Sequence, residues 1–164
     1  MRVPVDEHVA RPVRGRAFGV EQVAVPDFDT FEKGKPYYFL RSEPDGSRIY
    51  TPVDTHQPLR APVTQAEAEA LLSQLPAMQT CPATAHDRKT VLLHYRQLMQ
   101  PHTCQALACT VKSILCQHHG ALSRIPSAEQ EILKKAEQLL VSELSAALNL
   151  SYNETQSRVR KAMQ

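Results

Sequence analysis

Cysteine and histidine are the side chains here with the clearest capacity for chemistry, because both bind metal ions and a cysteine thiolate is a nucleophile. The chain contains four cysteines, Cys81, Cys104, Cys109 and Cys116. Three histidines lie near the last three of them: His102, His118 and His119. No CxxC pair is present and the spacing matches no zinc pattern, whereas a separation of seven residues places Cys109 and Cys116 on one face of a helix. We therefore predict buried, reduced, helical cysteines and no metal site.

The motifs that mark common enzyme classes are absent from the sequence. There is no GxGxxG, GxxxxGK[ST], GxSxG or HExxH segment. Adjacent residues point about 100° apart on a helix, so His118 and His119 are expected to be a surface pair that does not face one reacting atom. Glu129 and Glu131 are expected to be first-turn acids favoured by a helix dipole. The prediction is a protein without catalytic residues and without a cofactor.

The charges are unevenly distributed along the chain. Residues 1–60 contain equal numbers of acidic and basic residues, whereas residues 77–126 contain a single acid, Asp87. The basic residues of this middle stretch are Arg88, Lys89, Arg96, Lys112 and Arg124. Five of the seven histidines also lie there. The stretch is the candidate contact for a polyanion such as nucleic acid, although a solvated helix face has the same composition.

The elements that must position these residues differ between the two halves of the chain. In the first sixty residues, the β-prone segments 20–25 and 35–41 are followed by RIYTPV (48–53), with Asp45-Gly46 as a hairpin signal. A further strand is expected near residues 3–9. Three or four short strands predict a small, strongly bent sheet or barrel.

The strand at 48–53 has two distinguishable sides. Alternation directs Ile49, Thr51 and Val53 one way, and Arg48 and Tyr50 the other. Pro52 has no backbone N–H to donate, so the strand is expected to end there or to lie at a sheet edge.

Helices are predicted after a connector at 54–62. Three capping boxes precede apolar periodic runs: Thr64 with Glu67, Ser127 with Gln130, and Ser151 with Glu154. They predict helices near 65–75, 128–147 and 152–163, and apolar stripes predict two more at 87–99 and 103–118, with Gly120 capping the end of the latter. The predicted fold class is α+β, with a small β domain at residues 1–60 followed by a domain of about five helices at residues 61–164.

Three segments resemble the CarD-like family of bacterial transcription regulators. The first is GVEQVAVPDFDTFEKGKPYYFLRSEPDGSRIYTPVD (19–54), and the second is LKKAEQLLVSELSAALNLSYNE (133–154). RAPVTQAEAEALL (60–72) stands where the family has its domain-joining helix. The resemblance implies that the N-terminal module is a Tudor-like bent barrel, which binds the β subunit of RNA polymerase by pairing an edge strand. The matching strand precedes PVD, which indicates Arg48 and Tyr50 as contacts.

The same resemblance implies that the helical module approaches promoter DNA at the upstream edge of the melted bubble. Basic residues contact phosphates there and a tryptophan wedges into the minor groove, but this chain contains no tryptophan. His86 stands where that tryptophan would fall, and Arg88, Lys89 and Arg96 are the expected phosphate contacts. The implied DNA binding is weak and independent of sequence.

The predicted function is therefore modulation of open-complex stability by a polymerase-bound regulator. The alternative is an adaptor that docks on polymerase without touching DNA. No apolar run is long enough to cross a bilayer, and MRVPVDEHVARPVRGR at the start does not resemble a signal peptide. The expected location is the cytoplasm, and the oligomeric state stays open.

Overall fold

The computed structural model describes residues 18–24, 34–42, 48–53 and 62–163. The chain divides into two compact units, Met1–Pro62 and Val63–Gln164. The strand predicted near residues 3–9, the Asp45-Gly46 turn and most of the 54–62 connector lie outside the described residues.

The first unit contains an antiparallel sheet of three strands, β1 (Phe18–Ala24), β2 (Tyr37–Ser42) and β3 (Arg48–Pro52). Their order is β1-β2-β3, so the described strands form an open sheet with β1 and β3 at its edges. β3 ends at Pro52, as predicted. Leu40 is fully buried in the central strand.

The second unit consists of five α-helices and two short 3₁₀ turns. The helices are α1 (Gln65–Gln74), α2 (Arg88–Met99), α3 (Cys104–Gln117), α4 (Ser127–Leu148) and α5 (Tyr152–Ala162). The turns are Leu75–Ala77 and Leu122–Arg124. The predicted combination of a small antiparallel sheet and about five helices is confirmed. None of the described helices has the length and apolar character needed to span a membrane.

Polar caps fix most of the helix starts. Thr64 and Glu67 form a reciprocal capping box at α1, and Ser151 and Glu154 form one at α5, so both predictions are confirmed. In each box the hydroxyl accepts a backbone N–H bond while the carboxylate accepts the backbone N–H of the cap residue. Asp87 and Thr103 cap α2 and α3 with single side-chain acceptors.

The capping box predicted at Ser127 and Gln130 is wrong. Ser127 is the first residue of α4, and the cap residue is Pro126, which makes no side-chain cap bond. The Pro126 carbonyl accepts the N–H groups of Glu129 and Gln130, each at 2.9 Å. The Gln130 amide instead donates to the carbonyl of Ile125 at 2.7 Å. Pro126, with a ψ of 145°, is itself the cap residue, so Ser127 already lies inside the helix and its hydroxyl does not act as the cap.

The core of the helical unit is centred on α3 and α4, which pack most extensively against each other. Val111, Ile114, Leu140 and Leu144 are almost completely buried there. α3 is covered nearly all round, because every residue from 110 to 114 is buried. Its end is closed as predicted by Gly120, which adopts a φ of 72° and donates its N–H to the Leu115 carbonyl at 2.8 Å.

Candidate contact surfaces

β3 presents one edge of the described sheet. The Val53 N–H donates to the Pro36 carbonyl at 3.0 Å, so the backbone groups of Val53 face β2. Successive residues of an antiparallel ladder direct their backbone groups to alternate sides. Thr51 therefore also faces β2, whereas the backbone N–H of Tyr50 points to the side of β3 away from β2.

The side chains predicted to contact polymerase lie on the exposed part of β3. Arg48 is exposed and stands in register with Arg41 of β2, which is exposed as well. Tyr50 is 41% exposed, and its ring packs edge-on against Phe39, with ring centroids 4.8 Å apart. These two rings belong to directly opposed residues, for which side chains approach closely. Tyr50 thus packs on its own sheet with one part of the ring and presents the rest to solvent.

At the start of α2, a carboxylate that accepts two hydrogen bonds stands next to two cations. The Asp87 carboxylate accepts the backbone N–H and the hydroxyl of Thr90, at 3.0 and 2.8 Å. These hydrogen bonds lower the pKa of Asp87 below its ordinary value, and the bond from the backbone N–H has the largest effect. Arg88 and Lys89 follow immediately and are exposed. Because the carboxylate already occupies the helix N-terminus, contact with an anion here falls to the basic side chains.

One face of α2 carries an exposed stripe that we call the α2 stripe: Lys89, Leu93 and Arg96. Residues four and three apart lie side by side on a helix, so Leu93 is flanked by a cation on each side. Leu93 is 54% exposed, the largest value among the exposed bulky apolar side chains of the described residues. Arg88, Lys89 and Arg96 form no ion pair within the described part of the chain.

Sequence reasoning did not single out Leu93. The signal was nonetheless present, because position 93 falls off the apolar stripe of α2. The core side chains of this helix are Val91, Tyr95 and Met99, all of them buried.

The segment that leads into α2 is held against the helices by polar contacts. The His94 ring nitrogen Nε2 lies 2.8 Å from the Cys81 carbonyl, and the Ala83 N–H donates to Oε1 of Gln117 at 3.2 Å. The buried Tyr95 hydroxyl donates to the same Gln117 oxygen. His86 follows this anchored stretch and is exposed, next to the start of the helix.

Lys112 does not contribute to the basic surface that the sequence predicts for residues 77–126. It is buried on α3, and its Nζ donates to the carbonyls of Leu75, Pro76 and Met78 at 2.6, 2.7 and 3.1 Å. The Leu75 carbonyl also accepts the Met78 N–H of the 3₁₀ turn at 3.3 Å, so the ammonium adds a second donor there and supplies a donor to the other two carbonyls. The surface charge of the middle stretch is smaller by one cation than the sequence predicts.

The two adjacent histidines differ from the predicted surface pair. α3 ends at Gln117, so both lie in the turn that follows it. His118 is half-buried, and its Nε2 lies 2.9 Å from Oε2 of Glu129, which is buried. His119 is exposed and has a left-handed φ of 53°. Glu129 is a first-turn acid of α4, as predicted, but it is also the buried partner of a histidine, and the same prediction for Glu131 is wrong because that residue lies beyond the first turn.

The prediction of buried helical cysteines holds for Cys104 alone. Cys109 is partly buried on α3, whereas Cys116 is exposed at the end of the same helix. Cys81 is exposed and lies outside any helix. Within the described residues, no three histidine, cysteine or acidic side chains converge on a point that would suit a metal ion.

Comparison with known proteins gives no assignment. The chain matches no family profile, and no curated protein matches it.

Proposed function

We propose that the protein is a CarD-like bacterial transcription regulator, located in the cytoplasm, which binds the β subunit of RNA polymerase through β3 and contacts promoter DNA through α2. The observation that carries the proposal is the edge position of β3 among the described strands, with the Tyr50 N–H directed away from β2. A strand edge of this kind is a template for pairing with a strand of another protein. In this proposal the β unit is a Tudor-like barrel, and Arg48 and Tyr50 contact the polymerase beside the paired strands.

Polymerase docking would bring the helical unit to the DNA, so the DNA contact itself need not be strong. Arg88, Lys89 and Arg96 would contact phosphates, which fixes position without reading sequence. Two of these cations stand in the first turn of α2, where the helix dipole disfavours positive charge. Residues placed against a local rule of this kind are frequent at functional sites.

In this proposal the α2 stripe supplies the apolar contact that a tryptophan makes in the CarD-like family, since this chain contains no tryptophan. Leucine is among the side chains that proteins insert between base steps or against the minor groove. Leu93 is exposed between Lys89 and Arg96, so the cations would hold the backbone on either side while the leucine contacts the groove. His86 would lie at the rim of this contact.

The docking step is tested by binding the full chain to the purified lobe of the polymerase β subunit. Tyr50→Pro removes the outward N–H, and the matched Tyr50→Ala keeps that N–H while removing the ring. We expect Tyr50→Pro to abolish binding and Tyr50→Ala to weaken it. Thermal unfolding and circular dichroism must show that both variants remain folded. A folded Tyr50→Pro variant that binds like the wild type would exclude edge pairing by β3.

The DNA step is tested by crosslinking in a polymerase–promoter complex. We expect the triple exchange of Arg88, Lys89 and Arg96 to Gln to remove the crosslink without affecting docking. The matched control exchanges three exposed lysines elsewhere: Lys134, Lys135 and Lys161. With about three phosphate contacts, the affinity should fall with salt at a slope of roughly −2 to −3 on logarithmic axes. Docking without any crosslink in the wild type would favour the adaptor function instead.

A further inference from the structure

Two of the four cysteines lie where residues 78–87, which we call the pre-α2 segment, pack on α3. Cys81 is exposed in that segment, and Cys109 is partly buried on the helix. The Cys81 N–H donates to the Ser113 hydroxyl at 2.8 Å, and the Cys109 sulfur lies 3.9 Å from the same hydroxyl oxygen. One side chain therefore holds the backbone of Cys81 next to the thiol of Cys109.

Further contacts fix this arrangement from both sides. The Ser113 hydroxyl donates to the Cys109 carbonyl at 2.6 Å, which orients it within α3. The Cys109 thiol donates to the Gln79 carbonyl at 3.6 Å, and Gln79 is two residues before Cys81. The Ser113 hydroxyl and the Gln79 carbonyl thus anchor the Cys109 thiol beside the backbone of the segment that carries Cys81.

We propose that Cys81 and Cys109 form an oxidisable thiol pair, which a hydroperoxide converts into an intramolecular disulfide. The Cys81 thiolate attacks a peroxide oxygen, the O–O bond breaks, and a sulfenic acid and a hydroxide form. The Cys109 thiolate then attacks the sulfenic sulfur, the S–O bond breaks and the S–S bond forms. With hydrogen peroxide, two thiols lose two electrons and two protons, and the peroxide is reduced to two molecules of water.

Exposure assigns the two roles. Cys81 is accessible to the oxidant, whereas Cys109 is shielded and acts as the resolving thiol. Burial raises the pKa of the Cys109 thiol above its ordinary value, and the Ser113 hydrogen bond opposes this increase only in part. Because the thiolate is the nucleophile, ring closure should accelerate with pH until the raised pKa of Cys109 is passed.

The disulfide would tie the segment before α2 to α3. His86 and Asp87 follow Cys81 within a few residues, so the bond would fix the approach to the α2 stripe. That consequence rests on the proposed DNA contact, whereas formation of the bond does not. The chemical test below can therefore succeed or fail independently of any binding to polymerase or DNA.

The experiment treats the reduced full-length chain with hydrogen peroxide, alkylates the remaining thiols with N-ethylmaleimide and measures the intact mass. We expect the loss of two hydrogen atoms, two fewer alkylated thiols than in the reduced protein, and a linked peptide pair containing Cys81 and Cys109. The matched control is Cys116→Ser, which removes an exposed thiol at the far end of α3 and should leave the linkage intact. Cys109→Ser and Cys81→Ser should each prevent it.

Two variants keep the test decisive if one of them folds poorly. Cys81→Ser changes an exposed residue outside any helix, so it should fold even if Cys109→Ser does not. In folded Cys109→Ser, Cys81 should progress to sulfinic acid because no resolving thiol is present. A wild-type protein in which Cys81 is over-oxidised while Cys109 stays alkylatable, or in which Cys81 links to Cys104 or Cys116, would overturn the proposal.

Discussion

The ammonium group of Lys112 donates to the main-chain carbonyl of Leu75 at 2.6 Å, so a buried cation of α3 closes the end of α1. Two further carbonyls, those of Pro76 and Met78, accept from the same nitrogen. Three acceptors satisfy the three protons of an ammonium, which makes its burial possible without a carboxylate partner. The lysine therefore connects α1 and the pre-α2 segment to the central helix.

Replacing Lys112 by Met should destabilise the protein strongly. The exchange keeps a long unbranched side chain, shorter by one heavy atom, but removes the ammonium that donates to three carbonyls, of which that of Leu75 keeps the Met78 N–H. We expect a loss of about 2–4 kcal/mol in the free energy of unfolding, measured by urea titration. Lys134→Met, on the exposed face of α4, is the control and should change it by no more than about 0.5 kcal/mol. Equal stability of the two variants would mean that the Lys112 bonds contribute nothing.

The burial of Lys112 is a property that the sequence pattern did not predict. A basic residue in a window with few acids is most simply read as surface charge, and Arg88, Lys89 and Arg96 are indeed exposed. The periodicity of α3 does not reveal that the helix is covered nearly all round, because that depends on the partners packed against it. A polar residue on such a helix has to find acceptors in elements distant in sequence, here a 3₁₀ turn.

Local signals predicted the elements well. The caps Thr64 and Ser151, the end of β3 at Pro52 and the turn at Gly120 depend on neighbouring residues, and each was found where predicted. The cap predicted at Ser127 was wrong because the helix begins at Ser127 itself and Pro126 takes the cap position. Ser113 brings together Cys81 and Cys109 from different elements, so no spacing rule could have indicated their proximity.

Acid should destabilise the helical unit through its capping carboxylates. Hydrogen bonds to Thr64, Thr90 and Ser151 lower the pKa values of Glu67, Asp87 and Glu154 below their ordinary values. A lowered pKa in the folded state means that the carboxylate stabilises the fold above its ordinary pKa of about 4. That stabilisation is lost as the pH falls through the lower, folded-state value.

The measurement is the melting temperature as a function of pH, followed by circular dichroism, in the wild type and in the triple variant Glu67→Gln, Asp87→Asn, Glu154→Gln. We expect the variant to melt lower at neutral pH and to lose less on acidification, so that the two curves converge. The control is Glu131→Gln, an exposed exchange on α4. Parallel curves for the wild type and the triple variant would contradict the assignment.

The end of α4 depends on a left-handed residue. Asn149 has a φ of 52°, and the following N–H of Leu150 donates to the Ser145 carbonyl at 3.0 Å. Asparagine tolerates this conformation better than residues with a longer or branched side chain, and glycine tolerates it best. We expect Asn149→Ala to lower the free energy of unfolding by about 1 kcal/mol and Asn149→Gly to leave it unchanged or raise it. If the alanine and glycine variants unfolded at the same urea concentration, the left-handed conformation at position 149 would not affect the free energy of unfolding.

Leu93 and its flanking cations should make separable contributions to DNA binding. If Leu93 buries its side chain in the groove, Leu93→Ala should lower the affinity of the docked complex for promoter DNA roughly tenfold. The salt dependence should stay the same, because no phosphate contact is lost. Lys89→Gln should instead reduce the slope against salt by about one, with a smaller effect at high salt. Stability should be unaffected in both variants, since Leu93 is 54% exposed and Lys89 is exposed too.

The matched control for Leu93 is Leu122→Ala, because Leu122 is 52% exposed on the same helical unit but lies outside the α2 stripe. It removes the same apolar group from a comparable environment and should leave DNA affinity at the wild-type level. Fluorescence anisotropy of a labelled promoter fragment, titrated with the polymerase complex at several salt concentrations, separates the two effects. Equal losses for Leu93→Ala and Leu122→Ala would indicate a general change in the helical unit. Unchanged affinity for Leu93→Ala would mean that the cations act without an apolar contact between them.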